Sequence, residues 1–277
     1  MKNVLSIAGS DCSAGAGIQA DLKTFVANGV YGMTVITSLT AQNPQKVKML
    51  EDVSIEMLEK QIEAIFDIME VSAVKIGMLN SKENGEVIYE KLLKYKVKNI
   101  VLDPIMIATS GNSLIREETK RFLVNELFKI ADIITPNLDE TKEIVKIILN
   151  KENIEDIDSI EKMKIYGKII ADFTKRWVLI KGGHLLNSAV DILMNKDGIY
   201  ILEGEKISSN NTHGTGCSLS SAIASNLAKG YSMLEAVKKA KNFVLYSIKN
   251  SIDFGEISGT VNQMGEIYKN IDIEKLY

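Results

Sequence analysis

Gly214-Thr215-Gly216-Cys217 opens a long helical run that is rich in Ala and Ser and extends to Gly230. Read as a strand–loop–helix junction, it presents successive backbone N–H groups at a helix N-terminus. Unpaired donors and the positive end of the helix dipole make such a place an anion site suited to phosphate. A thiol at the opening of the helix sits in the same field, which is expected to lower its pKa. One segment thus offers a phosphate cradle and a reactive group. The same four residues also read as a tight Gly-rich turn with a small buried cysteine, and alone they do not separate the two readings.

Working outward from this loop, apolar and amphipathic runs alternate along almost the whole chain, the pattern of repeated β-α units around a largely parallel sheet. The expected strands are Val4–Ala8, Thr34–Leu39, Ala73–Ile76, Asn99–Leu102, Ile130–Ile134 and Val178–Ile180. Asp191–Met194 and Ile199–Leu202, joined through Asn195-Lys196-Asp197-Gly198, are expected to form an edge hairpin. Ile18, Leu22, Phe25 and Val26 make one helical stripe, closed by Asn28-Gly29. Ser54, Asp158 and Ser232 are expected to begin helices, the last two with a capping-box Glu at 161 and 235. No linker, repeat or low-complexity tract divides the chain, so a single domain over residues 1–277 is expected.

Polar groups fall at the ends of the strands. Asp103-Pro104, Thr135-Pro136-Asn137 and Lys181-Gly182-Gly183 each follow an apolar strand. In an open parallel sheet these ends share one edge, where ligands bind. A carboxylate, an amide and an ammonium then converge near the Gly214–Cys217 loop, a set suited to a magnesium-bound phosphate ligand. Asp103 before Pro104 also reads as the start of a turn. Asn137 with Glu140 reads as an N-cap with its capping-box partner, a stronger reading than a direct metal role for Glu140.

Composition narrows the class. The 277 residues are 45% apolar and 25% charged with a net charge of −3, which suits a soluble globular protein and gives no basic surface for nucleic acid. Two cysteines, Cys12 and Cys217, build no disulfide framework and fit a reducing cytosol. No segment approaches membrane-spanning length, and the N-terminal apolar run is too short for a signal peptide. A cytoplasmic protein is expected. With only His184 and His213, and no HExxH, CxxC, GxxxxGK[ST] or GxSxG pattern, a zinc site, a Walker-type loop and a hydrolase elbow are all disfavoured.

At this point the chain resembles the hydroxymethylpyrimidine/phosphomethylpyrimidine kinases of the ribokinase-like superfamily. The resemblance is carried by Ile7-Ala8-Gly9-Ser10-Asp11, Ala14 to Thr24, Ala41-Gln42-Asn43, Lys75 to Leu79, Leu102 to Met106, Thr135 to Leu138, Lys181 to His184 and Asn211 to Cys217. These motifs run in family order from residue 4 to about 230. The resemblance implies a three-layer α/β/α fold with a mostly parallel central sheet, and ATP with Mg²⁺ as cofactors. The implied reaction is phosphorylation of 4-amino-5-hydroxymethyl-2-methylpyrimidine and then of its monophosphate, for thiamine synthesis, commonly in a homodimer. It puts the catalytic residue at Cys217, beside the phosphoryl-holding Gly214, Thr215 and Gly216. Gln42 becomes the pyrimidine-recognising amide, with Gly9, Ala16, Asp21, Met78 and Ile107 near the substrate. Lys181, Asn137, Thr212 and His213 are assigned to the nucleotide, and Asp103 and Glu140 to the metal.

The chain departs from the family at several places. Cys12 and Ala14 replace the usual Pro and Gly of the first loop, Thr109 stands where a Lys is common, and Ser258 to Asn262 only loosely echoes a Gly-Pro-Val-containing segment. Two rivals remain. A pyridoxal kinase of the same family often carries an apolar residue at the Gln42 position, and a non-catalytic sensor would be expected to lack Cys217, Asp103 or Lys181.

Overall fold

The computed structural model describes residues 1–106, 115–183, 189–255 and 257–270. Its axis is β1 (Asn3–Asp11), buried along nearly its whole length, as a strand covered on both faces must be. It pairs in parallel with β2 (Tyr31–Asn43), outside which β3 (Lys46–Asp52) runs antiparallel. On its other side it pairs in parallel with β4 (Ala73–Ile76), followed by parallel β5 (Ile100–Leu102), β6 (Ile133–Ile134) and β7 (Trp177–Ile180). Antiparallel β8 (Asp191–Met194) and β9 (Ile199–Leu202) close that edge. The resulting order is β3-β2-β1-β4-β5-β6-β7-β8-β9. The chain leaves β1 toward one edge and returns to its other side, so the switch point lies beyond the C-terminal ends of β1 and β4, where ligands of such sheets bind.

The helices are α1 (Gly17–Ala27), α2 (Ile55–Phe66), α3 (Lys82–Lys94), α4 (Glu117–Phe122), α5 (Phe128–Ile130), α6 (Leu138–Leu149), α7 (Ile160–Thr174), α8 (Thr215–Ala228), α9 (Met233–Lys249) and α10 (Gly265–Asn270). Leu58, Ile62, Ile88, Leu92, Ile144, Met163 and Ile170 carry α2, α3, α6 and α7 onto one face of the sheet. Phe25, Leu219, Ile223, Ala236, Ala240 and Val244 carry α1, α8 and α9 onto the other. The layers are those expected, α/β/α.

Helix α8 is buried on every side from Cys217 to Ala228. Small residues fill most of this run, with Leu219, Ile223 and Leu227 packing in the core, and the buried serines must find acceptors. Ser220 Oγ donates to the Gly216 carbonyl at 3.0 Å and Ser225 Oγ to that of Ser221 at 2.8 Å, satisfying them within the helix.

Three expectations need correction. The N-cap of α7 is Ser159, whose Oγ accepts the Lys162 N–H, so Asp158 and Glu161 form no capping box. Ile130 ends a helix instead of opening β6. The strand Lys46–Asp52 was not expected at all; it is largely exposed and buries no apolar face that could mark it in sequence. Ser54, Asn137 and Ser232 do cap their helices, the last two with complete capping boxes.

Candidate active site

The geometry of the site begins with Gly214. It caps α8 at φ +86°, a left-handed conformation that glycine adopts without strain. A Cβ there would drive into the Gly15 carbonyl oxygen, so the loop before α8 and the first loop lie in direct contact. No side chain caps α8 and no acidic residue stands in its first turn; the Thr215 N–H bonds the Thr212 carbonyl, and the N–H groups of Gly216 and Cys217 are left to a ligand. Helix α1 likewise starts without a side-chain cap, after Ala16. Its Gly17 and the Cys217 of α8 line one pocket, so the two helix N-termini meet at one place.

A pocket of about 250 Å³ opens there, lined among others by Gly9, Ala16, Gln42, Met78, Asp103, Asn137, Lys181, His213, Gly214, Gly216 and Cys217. The strand-end groups converge as expected. Lys181 Nζ donates to Asp103 Oδ1 at 2.8 Å and stands 3.8 Å from Glu140 Oε2. Thr135 Oγ1 donates to the same Asp103 oxygen at 3.0 Å. A Cβ on Gly216 would lie 3.3 Å from Asp103 Oδ2 and 3.5 Å from Lys181 Nζ, so this pair faces the start of α8. Burial opposes the Lys181 charge, but Asp103 and Glu140 outweigh it and hold the ammonium above the ordinary lysine range.

Glu140 is 2% exposed. It accepts the Asn137 N–H at 2.8 Å while Asn137 Oδ1 accepts the Glu140 N–H at 2.8 Å. Burial, with Asp103 nearby, pushes its carboxyl up to about 7 against the pull of Lys181. The capping-box reading is thus realised. Among the described residues no three His, Cys, Asp or Glu side chains gather as a metal cage. Asp103 alone offers an oxygen, Oδ2, on the side of α8. One carboxylate with phosphate oxygens and water is a donor set that Mg²⁺ accepts, so the site fits a metal carried largely by the nucleotide.

Gln42 lies on β2 at a bulge. Its carbonyl accepts the Cys12 thiol at 3.2 Å; the residue lines the pocket, and its side-chain amide has no hydrogen bond to any described residue. Met78 Cε covers Gly9 closely, and with Ala16 they form the wall beside it. Ala14, where the family has Gly, sits at φ +61°, which explains why a glycine suits that position.

Some expected residues stand elsewhere. Asp21 is fully buried and lies beneath the pocket, accepting from Lys75 Nζ at 2.8 and 2.9 Å, Ser6 Oγ at 2.5 Å and Ser221 Oγ at 2.7 Å. It is a floor residue, and Lys75, which sequence reasoning had left without a role, lines the pocket above it. Thr212 and Thr215 stand outside the pocket wall, with the Thr212 carbonyl accepting both the N–H and Oγ1–H of Thr215. Ile107, Thr109 and His184 lie outside the described residues. The Cys217 pKa also differs from expectation. Burial pushes its thiol up to about 11, with Asp21 and Asp103 adding to the rise and Lys75 opposing it. The helix field is present, but desolvation of the thiolate is larger.

Residues 11–262 match the family described as phosphomethylpyrimidine kinase. A hydroxymethylpyrimidine/phosphomethylpyrimidine kinase of Aquifex aeolicus is 42% identical, over 91% of this chain and 96% of its own length. The crystal structure of phosphomethylpyrimidine kinase from Clostridium difficile 630 is 44% identical, with a TM-score of 0.78 over 88% of this chain and 98% of that one. The ADP complex of Bacillus subtilis pyridoxal kinase is 33% identical, with a TM-score of 0.87 over 97% and 99%. No helix of the described residues is long and apolar enough to cross a membrane. With the ordered motifs, the α/β/α layers and the strand-end charges all in place, this chain belongs to the phosphomethylpyrimidine kinase family of phosphotransferases.

Proposed function

We propose that this chain transfers the γ-phosphoryl group of ATP to 4-amino-5-hydroxymethyl-2-methylpyrimidine and then to its monophosphate. The observation that carries this reading is Gln42, whose side-chain amide has no hydrogen bond to any described residue, in the same pocket as Cys217 and the N-terminus of α8. A primary amide presents a donor and an acceptor side by side, which suits an amino group next to a ring nitrogen. The Gly214 and Gly216 amides would hold the transferring phosphoryl group, Lys181 its charge, and Cys217 would take the proton of the attacking alcohol. Asp103 would hold Mg²⁺, which neutralises phosphate charge when bound. A homodimer, as expected for the family, belongs to the same proposal; exposed Leu39, Val47 and Met49 on the outer β2–β3 hairpin offer an apolar face for a second copy.

A pyridoxal kinase is the second reading, favoured by the TM-score of 0.87 to the Bacillus subtilis enzyme. Turnover measured separately on the hydroxymethylpyrimidine, its monophosphate and pyridoxal decides between them. Gln42→Met is expected to weaken pyrimidine kcat/KM by about 1–3 kcal/mol, the cost of leaving a polar group unpaired in a closed site, with pyridoxal far less affected. Equal losses for both alcohols would remove Gln42 as the selector.

Lys181 supplies a further check. Lys181→Ala is expected to lower turnover with ATP by roughly 10²–10³-fold, the scale for removing one charge-stabilising group from a transition state. Binding of the pyrimidine alone, read by calorimetry, should stay nearly intact. Loss of pyrimidine binding with ATP affinity unchanged would reverse the assignment.

A further inference from the structure

Asp11 ends β1 with 1% of its surface exposed, and every acceptor site of its carboxylate is used. Oδ1 accepts the Ser13 N–H at 2.9 Å and the Ser13 Oγ–H at 2.7 Å, while Oδ2 accepts the Ala16 N–H at 2.8 Å and lies 3.0 Å from His213 Nε2. A carboxylate has about four lone-pair positions and only accepts when ionised, so His213 carries the proton on Nε2 and donates it here. Asp11 therefore keeps no capacity for a ligand, although it stands at the pocket wall. His213 has likewise committed the ring nitrogen that faces the pocket loop.

The bonds join two parts of the site that are remote in sequence. Ser13 and Ala16 belong to the first loop, which leads into α1, and Gly17 at the start of α1 lines the same pocket as Cys217. His213 directly precedes the Gly214 cap of α8. The same junction is packed from both sides: a Cβ on Gly15 would strike the His213 ring, and one on Gly214 would strike the Gly15 carbonyl. The loosely matching C-terminal segment closes it. Thr260 Oγ1 donates to the His213 carbonyl at 3.0 Å, the Val261 N–H reaches the same carbonyl at 3.2 Å, and Val261 is fully buried.

We propose that the Asp11–His213 pair is a positioning tie that fixes the pyrimidine-side loop in register with the phosphate-holding N-terminus of α8. His213, on this account, does not bind the nucleotide. Each half of the pocket is built on its own element, β1 and its loop for one and α8 for the other. Each half can bind its own ligand without the tie, but the attacking oxygen and the phosphorus then lose their alignment. A displacement of about 1 Å in such alignment costs on the order of 10²-fold in rate.

The inference rests on the two-substrate kinase reading, which wild-type turnover tests by itself; the variants test the tie. His213→Ala should lower kcat on the order of 10²-fold, with the dissociation constants of ATP alone and pyrimidine alone, from calorimetry, nearly unchanged. His213→Gln, whose amide nitrogen can take the place of Nε2, should restore most of kcat. Asp11→Asn puts an NH2 in place of one carboxylate oxygen, which orphans the Ala16 N–H together with the His213 donor at the Oδ2 position, or the Ser13 N–H at the Oδ1 position; it should lower kcat as well, and adding His213→Ala to it should cost little more. Loss of ATP binding in His213→Ala, with kcat at saturating ATP kept, would overturn the proposal and make His213 a nucleotide ligand. Failure of His213→Gln to restore kcat, or losses that multiply in the double variant, would overturn it too.

Discussion

Cys217→Ala is expected to slow formation of the monophosphate by roughly 10²–10⁴-fold, the usual contribution of a general base, and to slow its conversion to the diphosphate far less. The first nucleophile is a neutral alcohol that must shed a proton. The second is a phosphate oxygen of a monoester whose second pKa is near ~6, already ionised at neutral pH. On the proposed mechanism the amides of Gly214 and Gly216 would serve both steps, since each moves a phosphoryl group through the same place. The raised thiol adds a pH signature. A thiol at about 11 is ionised in only about one molecule in 10⁴ at pH 7. If the thiolate is the base, kcat of the first step should rise about tenfold per pH unit between pH 7 and 9, while that of the second stays flat. Both are read with each substrate supplied separately at saturating ATP. Equal losses in the two steps, or a flat first-step profile, would reduce Cys217 to a structural part of the anion site.

The sequence made much of this site legible because strand ends in a parallel sheet share one edge. Asp103, Asn137 and Lys181 follow apolar strands, so their convergence needed only the sheet order. The hairpin Asp191–Met194 and Ile199–Leu202 was equally plain, with its bounds set by a turn-forming Asn195–Gly198. What stayed hidden depends on desolvation and on long-range pairing. Nothing local to Cys217 tells how deeply α8 is buried, yet that burial reverses the direction of its pKa. Lys75 reads as one charge in an apolar strand, and its meaning appears only when Asp21, 54 residues away, is brought against it. Similarly, Asp11 and His213 are 202 residues apart, and their tie has no periodic signature. β3 escaped because an exposed strand buries no stripe.

The Asp21–Lys75 pair leads to the largest expected effect on stability. Both side chains are fully shielded from solvent, so neither charge can be hydrated if its partner is removed. Lys75→Met leaves the Asp21 carboxylate with two serine hydroxyls and no cation. Breaking a buried pair on one side costs about 3–5 kcal/mol, a large share of the roughly 5–15 kcal/mol that holds a typical domain folded. Chemical denaturation should therefore show a clear drop in the unfolding midpoint. Neutralising the second charge should recover most of the loss: in Lys75→Met with Asp21→Asn, the amide can still accept from one of Ser6 and Ser221 and donate to the other. The pH dependence has a definite sign. Burial alone would lower the Lys75 pKa, but Asp21, with Cys217 and Asp103 beyond it, outweighs burial and raises it above the ordinary lysine value. A group raised in this way gives its full stabilisation below the unfolded lysine pKa and loses it only as pH climbs through the folded value. The gap between wild type and the double variant, in which neither charge remains, should thus stay constant from pH 6 to 9, in a window of about three units well below ~10.4. A Lys75→Met variant as stable as wild type, or a double variant no better than the single, would show that the pair does not carry the floor of the site.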